Sequence, residues 1–172
     1  MQAKPSQPRV RAAIAFGGNL GDVERTFKRA MTRLERTPGI TILRRSDWIH
    51  TEPEGTPPGS PVFLNGAITV ETTLSPGELL AVCLETERHF GRDRSQEPRF
   101  GPRSLDLDLL LYAEQVVDEP DLCVPHPRMH LRRFVLEPLA QIAGDWPVPG
   151  QGTSVAGCLE ALERASDGAP RS

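Results

Sequence analysis

The chain has 172 residues, a net charge of −3, 38% hydrophobic residues and 25% charged ones, the balance of one folded domain rather than of a disordered or fibrous chain. No apolar run approaches the ~18–20 residues of a membrane span, and the polar stretch Met1–Pro8 has no signal-peptide core. Cys83, Cys123 and Cys158 are odd in number and far apart, so they read as reduced thiols of a cytoplasmic protein, not as a zinc site or a disulfide frame.

In chain order, Val10–Phe16 reads as a first strand. The turn GGNLGD follows at 17–22, with Asp22 the candidate N-cap of a helix. In that helix Val23, Phe27, Ala30, Met31 and Leu34 fall at helical spacing, and Pro38-Gly39 ends it. Ile40–Ile49 reads as a second strand. His50–Pro61 holds four prolines and two glycines in twelve residues, too many for a regular element. Val62–Thr72 alternates, with Val62, Leu64, Ile68 and Val70 on one face and Phe63, Asn65, Ala67 and Thr69 on the other. Ser75-Pro76-Gly77-Glu78 is a capping box with proline at the first helical position. The helix it opens carries Leu79, Cys83, Thr86 and Phe90 on one stripe and stops at Gly91. After an arginine-rich loop, Ser104–Tyr112 is a strand, with shorter ones at Val116-Val117 and Leu122–Val124. An irregular basic loop over Pro125–Arg133, a helical region from about Pro138 and a closing helix over Ser154–Arg164 complete the reading. The expectation is a single domain over 9–164 with flexible termini at 1–8 and 165–172. The element order predicts an α+β, ferredoxin-like sandwich, with helices packed on one face of a mostly antiparallel sheet.

The net charge hides segregation. Of 20 cationic residues, 18 are arginine, and five of these (Arg88, Arg92, Arg94, Arg99, Arg103) share a stretch with only Asp93 and Glu97. That stretch carries 5 − 2 = +3, so the remainder is −3 − 3 = −6. An acidic protein with one arginine-dense segment is a poor duplex or membrane binder and suits a small anion, because the guanidinium fork donates two parallel hydrogen bonds.

Asp106-Leu107-Asp108 follows directly. On a strand both carboxylates leave one face, about 6.5–7 Å apart at Cα, while Leu105, Leu107, Leu109 and Leu111 must be buried on the other. Two such carboxylates call for a countercharge. Mg²⁺, which takes one or two carboxylates plus phosphate oxygens, supplies one. Acids beside Arg103 and its neighbours point to phosphoryl transfer. His126 lies between Pro125 and Pro127, next to Arg128, Arg132 and Arg133, and reads as an anion contact; Pro127 rules out a helical zinc pair with His130. Phe63 and Asn65 offer a stacking ring and an amide to a flat heterocycle. Glu87 borders the apolar stripe of its helix. GGNLGD lacks the G-x-G-x-x-G spacing of a dinucleotide site.

These pieces together resemble the 6-hydroxymethyl-7,8-dihydropterin pyrophosphokinases of folate biosynthesis. The matching motifs are GGNLGD at 17–22, FLN at 63–65, GR at 91–92, GPRSLDLDLLLY at 101–112 and VPHPRM…RRFVLEPL within 124–139. The resemblance implies a cytoplasmic monomer that moves the diphosphate of ATP to a pterin hydroxymethyl group. It implies that Asp106 and Asp108 hold two Mg²⁺ ions, and that Arg92 and Arg103 serve the transfer. It places Glu87, Arg94, Arg103, His126 and Arg132 at ATP, and Thr51, Pro53, Phe63, Asn65, Asp106 and Phe134 around the pterin. The segment 91–103 would close over both ligands. Departures are Gly18 for the usual serine, Phe100 for the usual tryptophan, Leu84 where some members carry a polar residue, a slightly long spacing between Gly91 and Arg103, and a polar Glu52–Glu54 run. Two rivals remain at this level: a metal-dependent nucleotidyltransferase or nuclease, and a non-catalytic ferredoxin-like module.

Overall fold

A computed structural model describes residues 7–52, 58–91 and 103–168. Along the chain these form β1 (Val10–Gly18), α1 (Val23–Glu35), β2 (Ile40–Arg45), β3 (Ile49–Thr51), β4 (Phe63–Thr72), α2 (Pro76–His89), β5 (Asp106–Tyr112), β6 (Val117–Glu119) and β7 (Leu122–Val124). A 3-10 turn over Met129–Leu131, α3 (Arg133–Ala143), β8 (Pro147–Val148), β9 (Thr153–Ser154) and α4 (Val155–Asp167) follow. The main sheet has the order β2-β4-β1-β5, with β3 also paired to β4, and every pairing is antiparallel. Each helix crossover therefore skips one strand: β1 and β2 flank β4, and β4 and β5 flank β1. This is the split β-α-β arrangement of the ferredoxin-like class.

Local chemistry sets the helix starts. Asp22 accepts the N–H of Arg25 at 3.2 Å and so caps α1. Ser75 and Glu78 exchange side-chain and backbone bonds at 3.2 and 2.8 Å, closing the capping box of α2.

Helices cover both faces of the sheet, not one. On the first face Phe27 and Leu34 of α1 and Leu79 and Cys83 of α2 pack on Ile14, Phe16, Ile68 and Leu107. On the second, Leu136 and Leu139 of α3 and Val155 of α4 pack on Ala13, Ala15, Ala67 and Leu111. Alanines dominate the strands there, which lets α3 approach closely. The central strands β1 and β4 are thus buried on both sides, and their alternation carried less information than it does in a one-sided sheet.

Three expectations change. The second strand breaks after Arg45, because Ser46 turns inward and its Oγ accepts the N–H of Ala67 at 2.9 Å. Trp48 then folds onto Gly66, where a Cβ would overlap its ring, and meets Phe27 edge-on and Phe16 at a tilt. The leucines of β5 do not all share a face: a bulge opposite Ala13/Ile14 shifts the register, so Leu107 and Leu109 join the first core while Leu110 and Leu111 join the second. Finally, α3 starts at Arg133, with Pro138 inside it. Its apolar face (Val135, Leu136, Leu139, Ile142) is buried on the sheet, and that packing outweighs the backbone bond the proline cannot make.

Candidate active site

The second face is only partly covered. Beyond the end of α3, β-register lines up Ile49, Asn65, Gly17 and Asp106 across four strands, with Asp108 beside Ala15 one step along β5. Residues opposite one another in antiparallel strands share a face, so Asn65, Asp106 and Asp108 look into one open end. Between them Gly17 has no side chain. A Cβ there would sit 3.3 Å from Asn65 Oδ1 and 3.8 Å from Asp106 Cβ. The gap between amide and acid exists because this residue is glycine.

On the Asn65 side, Thr51 pairs with Phe63 in the β3–β4 ladder, and Asn65 Nδ2 donates to Thr51 Oγ1 at 2.6 Å. Thr51, Phe63 and Asn65 are thus brought together. Asn65 is buried, with Phe63 half-buried two residues along the same face. Phe134 opens α3, half-buried, with the Arg132 guanidinium 5.8 Å from its ring centre.

On the acid side, Arg103 Nη1 lies 3.2 Å from Asp106 Oδ2, with both side chains mostly buried. Arg103 is held from behind by Asn19. The Asn19 Oδ1 accepts the Arg103 N–H at 2.9 Å, while the backbone N–H groups of Asn19 and Leu20 donate to Arg103 O at 2.9 and 3.2 Å. Asn19 Nδ2 also donates to Pro61 O at 3.3 Å. The GGNLGD turn therefore ties down the chain just before β4 and β5. In the sequence Asn19 is one more polar turn residue, and nothing there names its partners.

His126 is half-buried. Its N–H donates to Leu110 O at 2.9 Å, and its Nδ1 accepts from the Arg128 N–H at 3.2 Å. That bond assigns the ring proton of the neutral form to Nε2. Burial, and next the positive charges of Arg132 and Arg128, push the His126 pKa below its ordinary value, with Asp106 opposing. Asp106, His126 and Arg132 thus share one electrostatic neighbourhood.

Glu87 is buried rather than at the border of an exposed stripe: it is 1% exposed, and its Oε1 accepts the N–H of Leu107 at 2.9 Å. Leu107 stands between the two aspartates, so α2 grips β5 at the peptide that sets their spacing. Helical projection placed Glu87 at the border of the stripe, and only the packing against β5 closed that border. The same region keeps Cys83 inert, its thiol pushed up to about 12 by burial, then by the charges of Glu87 and Asp108. Pro53, Arg92, Arg94, Ser95, Arg99 and Phe100 lie outside the described residues.

Among the described residues no group of three or more His, Cys, Asp or Glu side chains could hold a metal alone. Two same-face, part-exposed carboxylates with the small residues Gly17 and Ala15 opposite them fit a hard cation that completes its shell with phosphate oxygens and water. No helix among the described residues is long and apolar enough to cross a membrane.

The family profile of the 7,8-dihydro-6-hydroxymethylpterin-pyrophosphokinases (HPPK) matches residues 13–144. This chain belongs to the HPPK family. A 2-amino-4-hydroxy-6-hydroxymethyldihydropteridine pyrophosphokinase of Synechocystis sp. is 39% identical over 152 residues, covering 88% of this chain and 76% of that protein. The Bacillus subtilis enzyme of the same name is 41% identical over 131 residues, covering 76% of this chain and 77% of its own. Among solved structures, HPPK-DHPS in complex with substrates superposes with a TM-score of 0.72 at 12% identity, covering 93% of this chain. The Plasmodium falciparum HPPK-DHPS with pteroate does so with a TM-score of 0.71 at 12% identity, covering 96%. These two likenesses bear on the fold, and the chain spans 44% and 45% of those fused polypeptides. Within the HPPK family the nucleotidyltransferase, nuclease and binding-module readings are not favoured.

Proposed function

We propose that this chain transfers the diphosphate of ATP to the hydroxymethyl oxygen of 6-hydroxymethyl-7,8-dihydropterin, releasing AMP, as a step of folate synthesis. The observation that carries the residue assignment is the register row Asn65–Gly17–Asp106, which sets a heterocycle-binding amide and a phosphate-handling acid side by side over one bare position. Thr51, Asn65, Phe63 and Phe134 would take the pterin, together with Pro53. Thr51 orients the Asn65 amide through the 2.6 Å bond, so the amide can meet a flat ring edge with fixed donor and acceptor positions. Arg103, His126, Arg132 and Arg94 would take the triphosphate, with Arg92 assisting the transfer.

Asp106 and Asp108 would hold Mg²⁺, two ions by the resemblance. When bound, the metal supplies charge neutralisation and a lowered pKa for a coordinated hydroxyl. The chain's own residues do the rest. Arg103, anchored by Asn19 and facing Asp106, presents a fixed cation where charge builds up on the transferring group. His126, whose Nδ1 is taken up by the Arg128 N–H, would donate through Nε2–H without a proton-transfer duty. The pterin oxygen forms a bond to the β-phosphorus. The bond from that phosphorus to the α,β-bridging oxygen breaks, AMP leaves with the oxygen, and the alcohol proton passes to solvent. Positioning and charge neutralisation suffice for such a transfer.

Incubation with ATP, Mg²⁺ and the pterin alcohol tests the reading. AMP, not ADP, should form only when the alcohol is present; ADP, or AMP without the alcohol, overturns it.

A further inference from the structure

The far side of the first helix layer carries a feature this chemistry leaves unused. A groove of about 540 Å³ runs between the antiparallel helices α1 and α2. Arg29, Arg33 and Arg36 line it from α1, His89 and Phe90 from α2, and Glu85 is its one acid. Helix C-termini attract cations, which accounts for Arg36 at the cap of α1 and His89 in the last turn of α2. It does not account for Arg29, in the middle of α1, whose guanidinium lies over the Phe90 ring at 5.4 Å. Arg33 is 3.7 Å from Glu85; Arg29 and Arg36 have no carboxylate partner among the described residues. An excess of arginine in a concave site, one guanidinium already seated over a half-buried ring, is the chemistry that receives a flat aromatic anion: guanidinium planes stack on the ligand's ring and their forks take phosphate or carboxylate oxygens.

The groove is wired to the active site through the end of α2. Phe90 O accepts the Ser104 hydroxyl at 2.8 Å, two residues before Asp106. One turn earlier, Glu87 holds Leu107 between the two acids. We infer that the α1–α2 groove is a second binding site, for a flat-ring anion bearing phosphate or carboxylate groups, and that its occupant modulates turnover through the α2–β5 contacts. A nucleoside monophosphate and a carboxylate-bearing pteridine conjugate share that chemistry.

The test keeps the catalytic site filled with α,β-methylene-ATP, Mg²⁺ and the pterin alcohol, and titrates GMP or folic acid by calorimetry. One molecule of at least one probe should bind per chain, and which probe binds names the source. Replacing two charge-assisted contacts, in the double variant Arg29→Ser/Arg36→Ser, should weaken that binding about tenfold or more. Both arginines are exposed, so the variant should keep the native circular dichroism spectrum and the native kcat in the absence of probe. Saturating probe should change the kcat of the native chain and not that of the variant. No binding of either probe, or binding undiminished in the variant, overturns the site; binding that leaves kcat unchanged overturns the coupling. AMP formation without probe is scored separately, so failure here is distinguishable from failure of the proposed reaction.

Discussion

Asp106 and Asp108 are part-exposed at the open end of the sheet, so removing either carboxylate should cost chemistry and leave the native circular dichroism spectrum. We expect Asp106→Ala and Asp108→Ala each to lower kcat by orders of magnitude, with Asp106→Ala also lowering the melting temperature because Arg103 loses its ion-pair partner; near-normal kcat at saturating Mg²⁺ in either variant would count against the metal assignment. Asn65 belongs to the other half of the site. On the proposed pterin assignment, Asn65→Ala removes hydrogen bonds to the heterocycle, worth about 1–3 kcal/mol. Calorimetry should show weaker pterin binding with ATP affinity unchanged, and equal weakening of both would assign Asn65 to the core. His126 supplies a pH signature. Its folded pKa is lowered, so the unfolded chain binds more protons in the window between that lowered value and the ordinary histidine value. Its contribution to stability is therefore present above the window and lost as pH falls through it. Urea midpoints at about pH 8 and about pH 5 should differ less in His126→Gln than in the native chain.

At the scale of elements, the active surface depends on how β5 is held. Glu87→Ala leaves the buried Leu107 N–H without its acceptor, which should destabilise the chain by about 1–3 kcal/mol and lower kcat as the two acids lose their spacing. Glu87→Gln keeps an acceptor and should retain most of both. Denaturant midpoints and kcat measured together separate this positioning role from a direct nucleotide contact, which would raise the KM for ATP instead. The junction of β1 and β5 makes a second case. A Cβ at Gly18 would lie 2.7 Å from Ser104 O and 3.0 Å from Val23 Cγ1. Gly18→Ser should therefore lower the melting temperature; an unchanged or raised melting temperature would show that the junction relaxes freely. These two residues mark how far the sequence could be read. The turn, the caps and the D-x-D strand were legible because short-range chemistry specifies them. The inward turn of Ser46, the β5 bulge and the burial of Glu87 were not, because each answers to a partner more than a dozen residues away: Ala67, Ala13 and Leu107.

For the molecule as a whole, two helix layers on one sheet give a frame whose open end is left over rather than carved out. α1 and α2 cover the first face, and α3 and α4 stop short on the second. The element order announced a ferredoxin-like frame from the sequence alone, but the second layer was hidden because Pro138 disguised the start of α3. What the frame leaves open is measured by the sheet itself. Asn65 and Asp106 are separated by β1, two inter-strand steps or roughly 10 Å, and the bare Gly17 keeps that span clear. On the proposed assignment, the hydrogen-bonding repeat of the sheet is a ruler laid along the acceptor, with the ring to be gripped at one mark and the alcohol presented at the other. A ruler of fixed length discriminates by reach, not by affinity. A pterin alcohol lengthened by one methylene should still occupy the ring pocket with a similar Kd, yet its oxygen would overshoot the phosphorus and its kcat should fall steeply, since misplacement of about 1 Å can cost a hundredfold.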